Sequence, residues 1–153
     1  SKSLSLYGER IGALSIVTES GDEAARVLSQ VKRVIRTNYS NPPTHGGQAA
    51  AMVLATPELR ALWESELGQM RDRIKVMRRE LVAKVRAIRA DFDFTFVVQQ
   101  RGMFSYSGLA REQVLRLRSE YSIYTIETGR ICVAALTSRN IDYVADAIAK
   151  VIK

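Results

Sequence analysis

The sequence predicts a mixed fold, α/β in its opening portion and α+β over the rest. Three observations predict it. The short run "IGALSIVTE" (Ile11–Glu19) is apolar and rich in β-branched residues, as a buried strand is. From Trp63 to Ile88, apolar residues recur every three or four positions, the period of a helix with one buried face. At Phe92, Phe94, Phe96 and Val98 the period drops to two, the signature of a strand with one packed face. The 153 residues suit one ordinary domain or two small pieces. With 46% hydrophobic and 25% charged residues, the composition is that of a folded globular chain.

Gly21 and Asp22 should break the chain after the first strand. Residues Glu23–Asn38 then carry Ala24, Val27, Leu28, Val31 and Ile35 at helical spacing. The segment "YSNPPTHGG" should stop that helix, because Pro42 and Pro43 lack an amide hydrogen and push each preceding residue out of the α region. A short helix is expected at about Gln48–Leu54. Thr56, Pro57 and Glu58 provide a cap, a preset first residue and an anion at the positive helix end, so a long helix should start there and run to Ala90. Gly68 is its weak point, where it could bend. After the phenylalanine strand, "QQRG" turns the chain and "MFSYSG" should return as a second strand. Arg111–Tyr121 reads as a helix that packs Val114, Leu115 and Leu117. "SIYTIE" and "RICVAAL" read as two more strands, joined at Thr128 and Gly129. Thr137 or Ser138 should cap a last helix with Ile141, Val144, Ile148 and Val151 on one face.

Several chemistries are disfavoured. No apolar run approaches the ~20 residues of a membrane span, and no secretory pattern is present. The single cysteine, Cys132, cannot form an internal disulfide; its apolar setting predicts a buried structural thiol in a reducing, cytoplasmic compartment. His45 is the only histidine, so no metal cluster is expected, and a Ser-His-Asp triad is disfavoured because no acid lies near it in sequence. Neither type of glycine-rich nucleotide loop occurs. The formal charge is +7, and the long helix is rich in arginine and lysine. Acids interrupt those cations, so a solvated face with i,i+4 pairs is expected in place of a nucleic-acid surface. The alternative is a non-catalytic interaction module whose basic helix binds acidic partners or nucleic acid, with steep salt dependence.

Four basic residues could carry chemistry. Arg10, Arg36 and Arg130 stand at a loop–strand junction, a helix end and a strand start. Each could bind an oxyanion through its two-pronged guanidinium, but each taken singly reads first as a surface or ion-pair arginine. Lys2 alone reads as a solvated tail. A neutral lysine amine can, however, condense with an aldehyde when burial or nearby cations favour the neutral form, and Arg10 could supply part of that field.

Together, "SKSLSLYGERIGALSIV", "IRTNYSNPPTHGG", "RGMFSYSGL" and "ETGRICVAAL" resemble the C-terminal part of the pyridoxal-phosphate (PLP) aminotransferases that act on aspartate and aromatic amino acids. The likeness runs over essentially the whole chain, in order. "SLYGER" and "QRGMFSYSGL" lean toward the tyrosine (aromatic) branch, and "NYSNPPTHG" toward the aspartate branch. The resemblance implies a fold-type I architecture. Residues 1–69 would be the C-terminal piece of the large PLP-binding domain, and residues 70–153 the small domain. It implies PLP as cofactor, amino acids and 2-oxo acids as substrates, a homodimer, and neither nucleic-acid nor membrane partners. By resemblance, Lys2 matches the lysine that holds PLP covalently and later moves the substrate proton. Arg10 matches a ligand of the cofactor phosphate, and Arg130 the grip on the substrate α-carboxylate. Arg36 matches an arginine that reaches the neighbouring subunit to bind a distal carboxylate. Asn38 and Ser40 match residues beside it, and Phe104 a wall of the substrate pocket. Most of the cofactor's other ligands would precede Ser1, so the chain by itself is expected to be inactive.

Overall fold

A computed structural model describes residues 2–152. The chain divides into two compact units, Ser1–Leu67 and Gly68–Lys153.

In the first unit, helix α1 spans Gly21–Asn38. It starts earlier than the expected Glu23, because Gly21 and Asp22 form its first turn instead of a break. The Ser20 hydroxyl caps it by accepting from the Glu23 amide, and the Glu23 carboxylate reaches back to the Glu19 amide at 2.9 Å. It ends where the Tyr39 and Ser40 amides both close on the Ile35 carbonyl, with Ser40 in the left-handed region at φ 64°. Helix α2 spans His45–Ala55, and α3 begins at Pro57.

The strand expected at Ile11–Glu19 does not form. Strand backbone needs a neighbour to receive its amides and carbonyls. Among the described residues the one sheet is two-stranded and lies in the other unit. Val17, at 97% exposure, has the apolarity of a buried strand residue and no cover from these residues.

Helix α3 runs unbroken over Pro57–Ile88, and Gly68 does not interrupt it. Its 32 residues give a length of about 48 Å at 1.5 Å per residue. The apolar stripe is not buried throughout: Met70 and Ile88 are exposed, while Met77, Leu81, Val82 and Val85 enter the core. Many basic side chains of this helix are engaged. Arg60 and Lys84 pair with Glu64 and Asp142, Arg71 and Lys75 share Asp72, and just beyond the helix Arg89 pairs with Asp91. Arg73 donates to the Ala134 and Leu136 carbonyls, and Arg78 is buried.

The second unit packs the C-terminal half of α3 against α5 (Arg111–Tyr121) and α6 (Ile141–Val151), around Leu81, Val85, Phe94, Val97, Val114, Leu117 and Ile148. The alternating strand over Phe92–Val98 is overturned. The Asp93 carboxylate accepts from both the amide and the hydroxyl of Thr95, which bends the backbone into the short helix α4, Phe96–Gln99. The phenylalanines still pack, but on one another: Phe94 lies 5.9 Å from Phe92 and 5.6 Å from Phe96 between ring centroids.

Strand β1 (Phe104–Tyr106) therefore pairs elsewhere, antiparallel with β2 (Arg130–Cys132), Ser105 opposite Ile131. "SIYTIE" forms no strand. Ser122, at φ 53°, caps α5, and the Ile123 amide returns to the Leu117 carbonyl. "RICVAAL" keeps only three strand residues before a 3₁₀ turn at Val133–Ala135, where Met103 O accepts from two successive amides. Cys132 is half-buried, not fully buried. The last helix is preceded by Asn140, whose carboxamide oxygen binds the Thr137 amide, so the expected caps Thr137 and Ser138 do not fill that role.

Arg89 ties the end of α3 to the end of α6, donating to the Ile152 carbonyl at 2.6 Å while gripping Asp91 through two parallel bonds of 2.9 and 2.8 Å. That grip, helped by a backbone hydrogen bond, lowers the Asp91 pKa from 3.8 to about 2. A carboxyl with a lower pKa in the folded state contributes stability above its unfolded pKa and loses it as pH falls through the folded one. Melting temperature should therefore fall as pH drops from about 4 to about 2. Thermal scans of Asp91→Asn should show a shallower decline over that window. An identical decline would remove this pair from the acid response.

Candidate active site

Residues 2–10 form a fastened turn in the first unit. The Ser5 amide bonds the Lys2 carbonyl at 3.2 Å, and the Trp63 indole donates to the Ser3 carbonyl at 2.7 Å. Glu9 pairs with His45 Nδ1 at 3.0 Å, so an acid distant in sequence does meet the lone histidine. A Cβ on Gly46 would stand 2.6 Å from Glu9 Cβ and 2.8 Å from Ile11 Cγ2, so only glycine lets the start of α2 lie against this segment. Ser5 and Arg10 both occupy the left-handed region, at φ 53° and 51°, which costs a non-glycine residue energy and holds only where surrounding contacts enforce it.

Tyr7 joins the two predicted residues of this turn. The Lys2 ammonium lies 4.9 Å from its ring centroid, and Arg10 Nη1 donates to its carbonyl at 3.0 Å. Both residues are exposed to solvent, and it is the charged end of each side chain that meets Tyr7.

Arg36 sits in the last turn of α1, and its guanidinium donates to the Ser40 hydroxyl. The left-handed residue Ser40 turns the chain back to make that contact. Asn38, the last residue of α1, borders an apolar groove that also takes in Leu14, Ile16, Val31 and Ile35.

In the second unit, Arg130 and Phe104 come from the paired strands. The guanidinium carbon lies 4.9 Å from the phenyl centroid. The two residues border a cleft of about 510 Å³ shared with Tyr124, Ile126, Cys132 and Leu136. Gly129 sets the arginine's entry. Its φ of 81° favours glycine, and an added Cβ would lie 2.8 Å from the Leu109 carbonyl. Ser107, fully buried, donates its hydroxyl to the Gly129 carbonyl at 2.6 Å, and its amide does so at 2.9 Å.

Three participants escaped the sequence reading: Tyr7, Ser107 and Arg78. Arg78 is only 4% exposed. It donates to the carbonyls of Val97 (2.9 Å), Gly102 (2.6 Å) and Phe104 (3.4 Å) and to the Ser105 hydroxyl. Burial, and secondarily the charge of Arg101, lower its pKa. The available signal was its position: it follows Met77 and lies four after Ile74 and three before Leu81, on the apolar stripe where a charge is out of place.

The family described as aminotransferase class I and II matches residues 1–148. The aspartate aminotransferase of Pseudomonas aeruginosa is 65% identical over 152 residues, covering 99% of this chain and 38% of that protein. The aromatic-amino-acid aminotransferase of Escherichia coli is 48% identical over 151 residues, again 99% and 38%. Among solved structures, the aromatic-amino-acid aminotransferase from Burkholderia pseudomallei, covalently bound to pyridoxal phosphate, superposes with a TM-score of 0.94 at 68% identity, over 99% of this chain and 38% of that one. The chain thus spans about two-fifths of the length of these relatives. With the family's description matching all but its last five residues, the chain belongs to the class I and II aminotransferases.

Proposed function

We propose that the protein containing this chain is a PLP-dependent aminotransferase that exchanges an amino group between an aromatic or dicarboxylic amino acid and a 2-oxo acid. Relatives named for aspartate and for aromatic amino acids both support that breadth. The observation that carries the reading is the fastened turn 2–10. It presents an amine and a guanidinium through one shared residue, Tyr7, in a chain of this family. The donor set fits the cofactor: an amine for its aldehyde and a guanidinium for its phosphate. When bound, PLP supplies an electron sink for the charge left at the substrate Cα.

The chain's own residues supply anchoring, orientation and proton movement. Lys2 Nζ would hold the cofactor and, as a free amine, would carry the Cα proton as general base. Arg10 binds the phosphate. Arg130 grips the α-carboxylate, with Phe104 as the apolar wall beside it. Positioning of this kind is worth up to ~7–11 kcal/mol of a barrier. Arg36, with Asn38 and Ser40 beside it, takes the distal carboxylate of a dicarboxylic substrate from the neighbouring subunit of a homodimer. With an aromatic substrate that distal carboxylate is missing, and Ser40 offers Arg36 a substitute acceptor. We assign residues 1–69 to the large PLP-binding domain and 70–153 to the small domain of a fold-type I enzyme, and place the protein in the cytoplasm.

Borohydride reduction of the full-length protein with PLP, followed by peptide mapping, tests the reading. The cofactor should become fixed to Lys2. Fixation at another lysine, or at none, would overturn the assignment.

A further inference from the structure

A three-residue ladder is a weak platform, since an isolated pair of short strands is marginal in water. Yet β1 and β2 carry Phe104 and Arg130. Side chains alternate along β1: Phe104 and Tyr106 are exposed, and Ser105 is 2% exposed. The buried side of that strand meets Arg78, whose one guanidinium holds the Gly102 carbonyl, the Ser105 hydroxyl and the Phe104 carbonyl, and reaches α4 through the Val97 carbonyl. Its acceptors are carbonyls and a hydroxyl, not a carboxylate. A buried guanidinium held by neutral acceptors is an expensive way to fill core volume, because its charge is desolvated without an opposite charge beside it. Its planar fork, however, offers five donors in a fixed geometry to acceptors spread on either side, where an aliphatic residue offers none and an ammonium only three from a single point.

We propose that Arg78 is a positioning residue for substrate carboxylate binding: from the buried side of β1 it fixes the Phe104 backbone, and thereby the ring against which the Arg130 guanidinium rests. The inference deepens the assignment of Arg130 as the α-carboxylate grip and rests on it. The line of contact is short and entirely within one unit. Arg78 bonds the Phe104 carbonyl, and the Phe104 ring lies 4.9 Å from the Arg130 guanidinium carbon. Displacement of β1 would leave Arg130 without its aromatic support and free to sample other rotamers, weakening its grip on any substrate with an α-carboxylate.

The test is a double-mutant cycle in the full-length holoenzyme. KM and kcat for aspartate and for tyrosine are measured in wild type, Arg78→Lys, Arg130→Ala and the double variant, with cofactor absorbance and melting temperature recorded for each. Arg130→Ala should raise KM for both substrates. Arg78→Lys keeps the charge but not the fork, and should raise both KM values by about tenfold, with kcat changing less. In the Arg130→Ala background the same change should add less than about twofold, because the arginine it serves is gone. Equal factors in both backgrounds, or no KM effect of Arg78→Lys, would overturn the inference while leaving the role of Arg130 intact. Unchanged KM values in Arg130→Ala would instead overturn the assignment of Arg130, and this inference with it. If Arg78→Lys does not fold, Ser105→Ala takes its place in the cycle. It removes one hydroxyl from the Arg78 fork and should raise KM about threefold with Arg130 present and not without it; equal factors, or no effect, again overturn the inference.

Discussion

Lys2→Ala in the full-length protein should lower kcat for transamination by at least about 10³-fold. Positioned proton transfer alone contributes 10²–10⁴-fold, and the same amine is assigned to hold the cofactor. In the cofactor-free protein, where lost cofactor binding does not enter, stability should barely change. The Lys2 side chain is exposed, its contact is the Tyr7 ring, and substitutions at such surface positions usually fall within about 0.5 kcal/mol. That contrast separates chemistry from folding: steady-state rates should collapse while the melting temperature of the cofactor-free protein stays within a few degrees. Turnover near the wild-type rate would remove Lys2 from the mechanism. A small added primary amine should restore part of the rate, because it returns a base without restoring the tether.

Phe94→Ala should produce the largest loss of stability, about 3–5 kcal/mol, the usual cost of emptying a phenylalanine site in a core. Phe94 is 1% exposed and packs its ring against both Phe92 and Phe96. Against the ~5–15 kcal/mol that separates most native proteins from their unfolded states, that loss is large. A companion pair tests the local geometry. A strand over Phe92–Val98 would place Val98 on the packed side and Val97 on the other. In the structure Val97 is fully buried and Val98 is 36% exposed. Urea midpoints should therefore fall more for Val97→Ala than for Val98→Ala, and the reverse order would favour the strand.

The helices other than α4 were legible from sequence because each of them carries its own instructions. Val114 and Leu117 mark the buried face of α5, and the helix has the bounds the periodicity predicted, Arg111–Tyr121. The start of α3 at Pro57 follows from a residue preset for a first turn. The strands were less legible because half of a strand's hydrogen bonding belongs to its partner. Ile11–Glu19 has the right side chains and no ladder among the described residues. At Phe92–Val98 the alternation was real, but one local bond pattern, Asp93 to Thr95, outweighed it.

The same division holds for the candidate site. Lys2, Arg10, Arg36 and Arg130 stood out in the sequence by residue type and context, but their roles, and the choice of Asn38, Ser40 and Phe104, came from the resemblance to the family and not from the side chains alone. Arg78 could not be named in advance, since its significance lies in carbonyls 19 to 26 residues away that converge on it only after α4 and β1 have folded over α3. Sequence alone determined the helical faces and the residue types available for chemistry, because periodicity and composition are properties of the chain itself, and its motifs carried the resemblance to the family. Only the tertiary structure decided which strands pair, which arginine is buried, and that Tyr7 and Phe104 each support a basic side chain. Those outcomes depend on which backbone groups find partners across the fold.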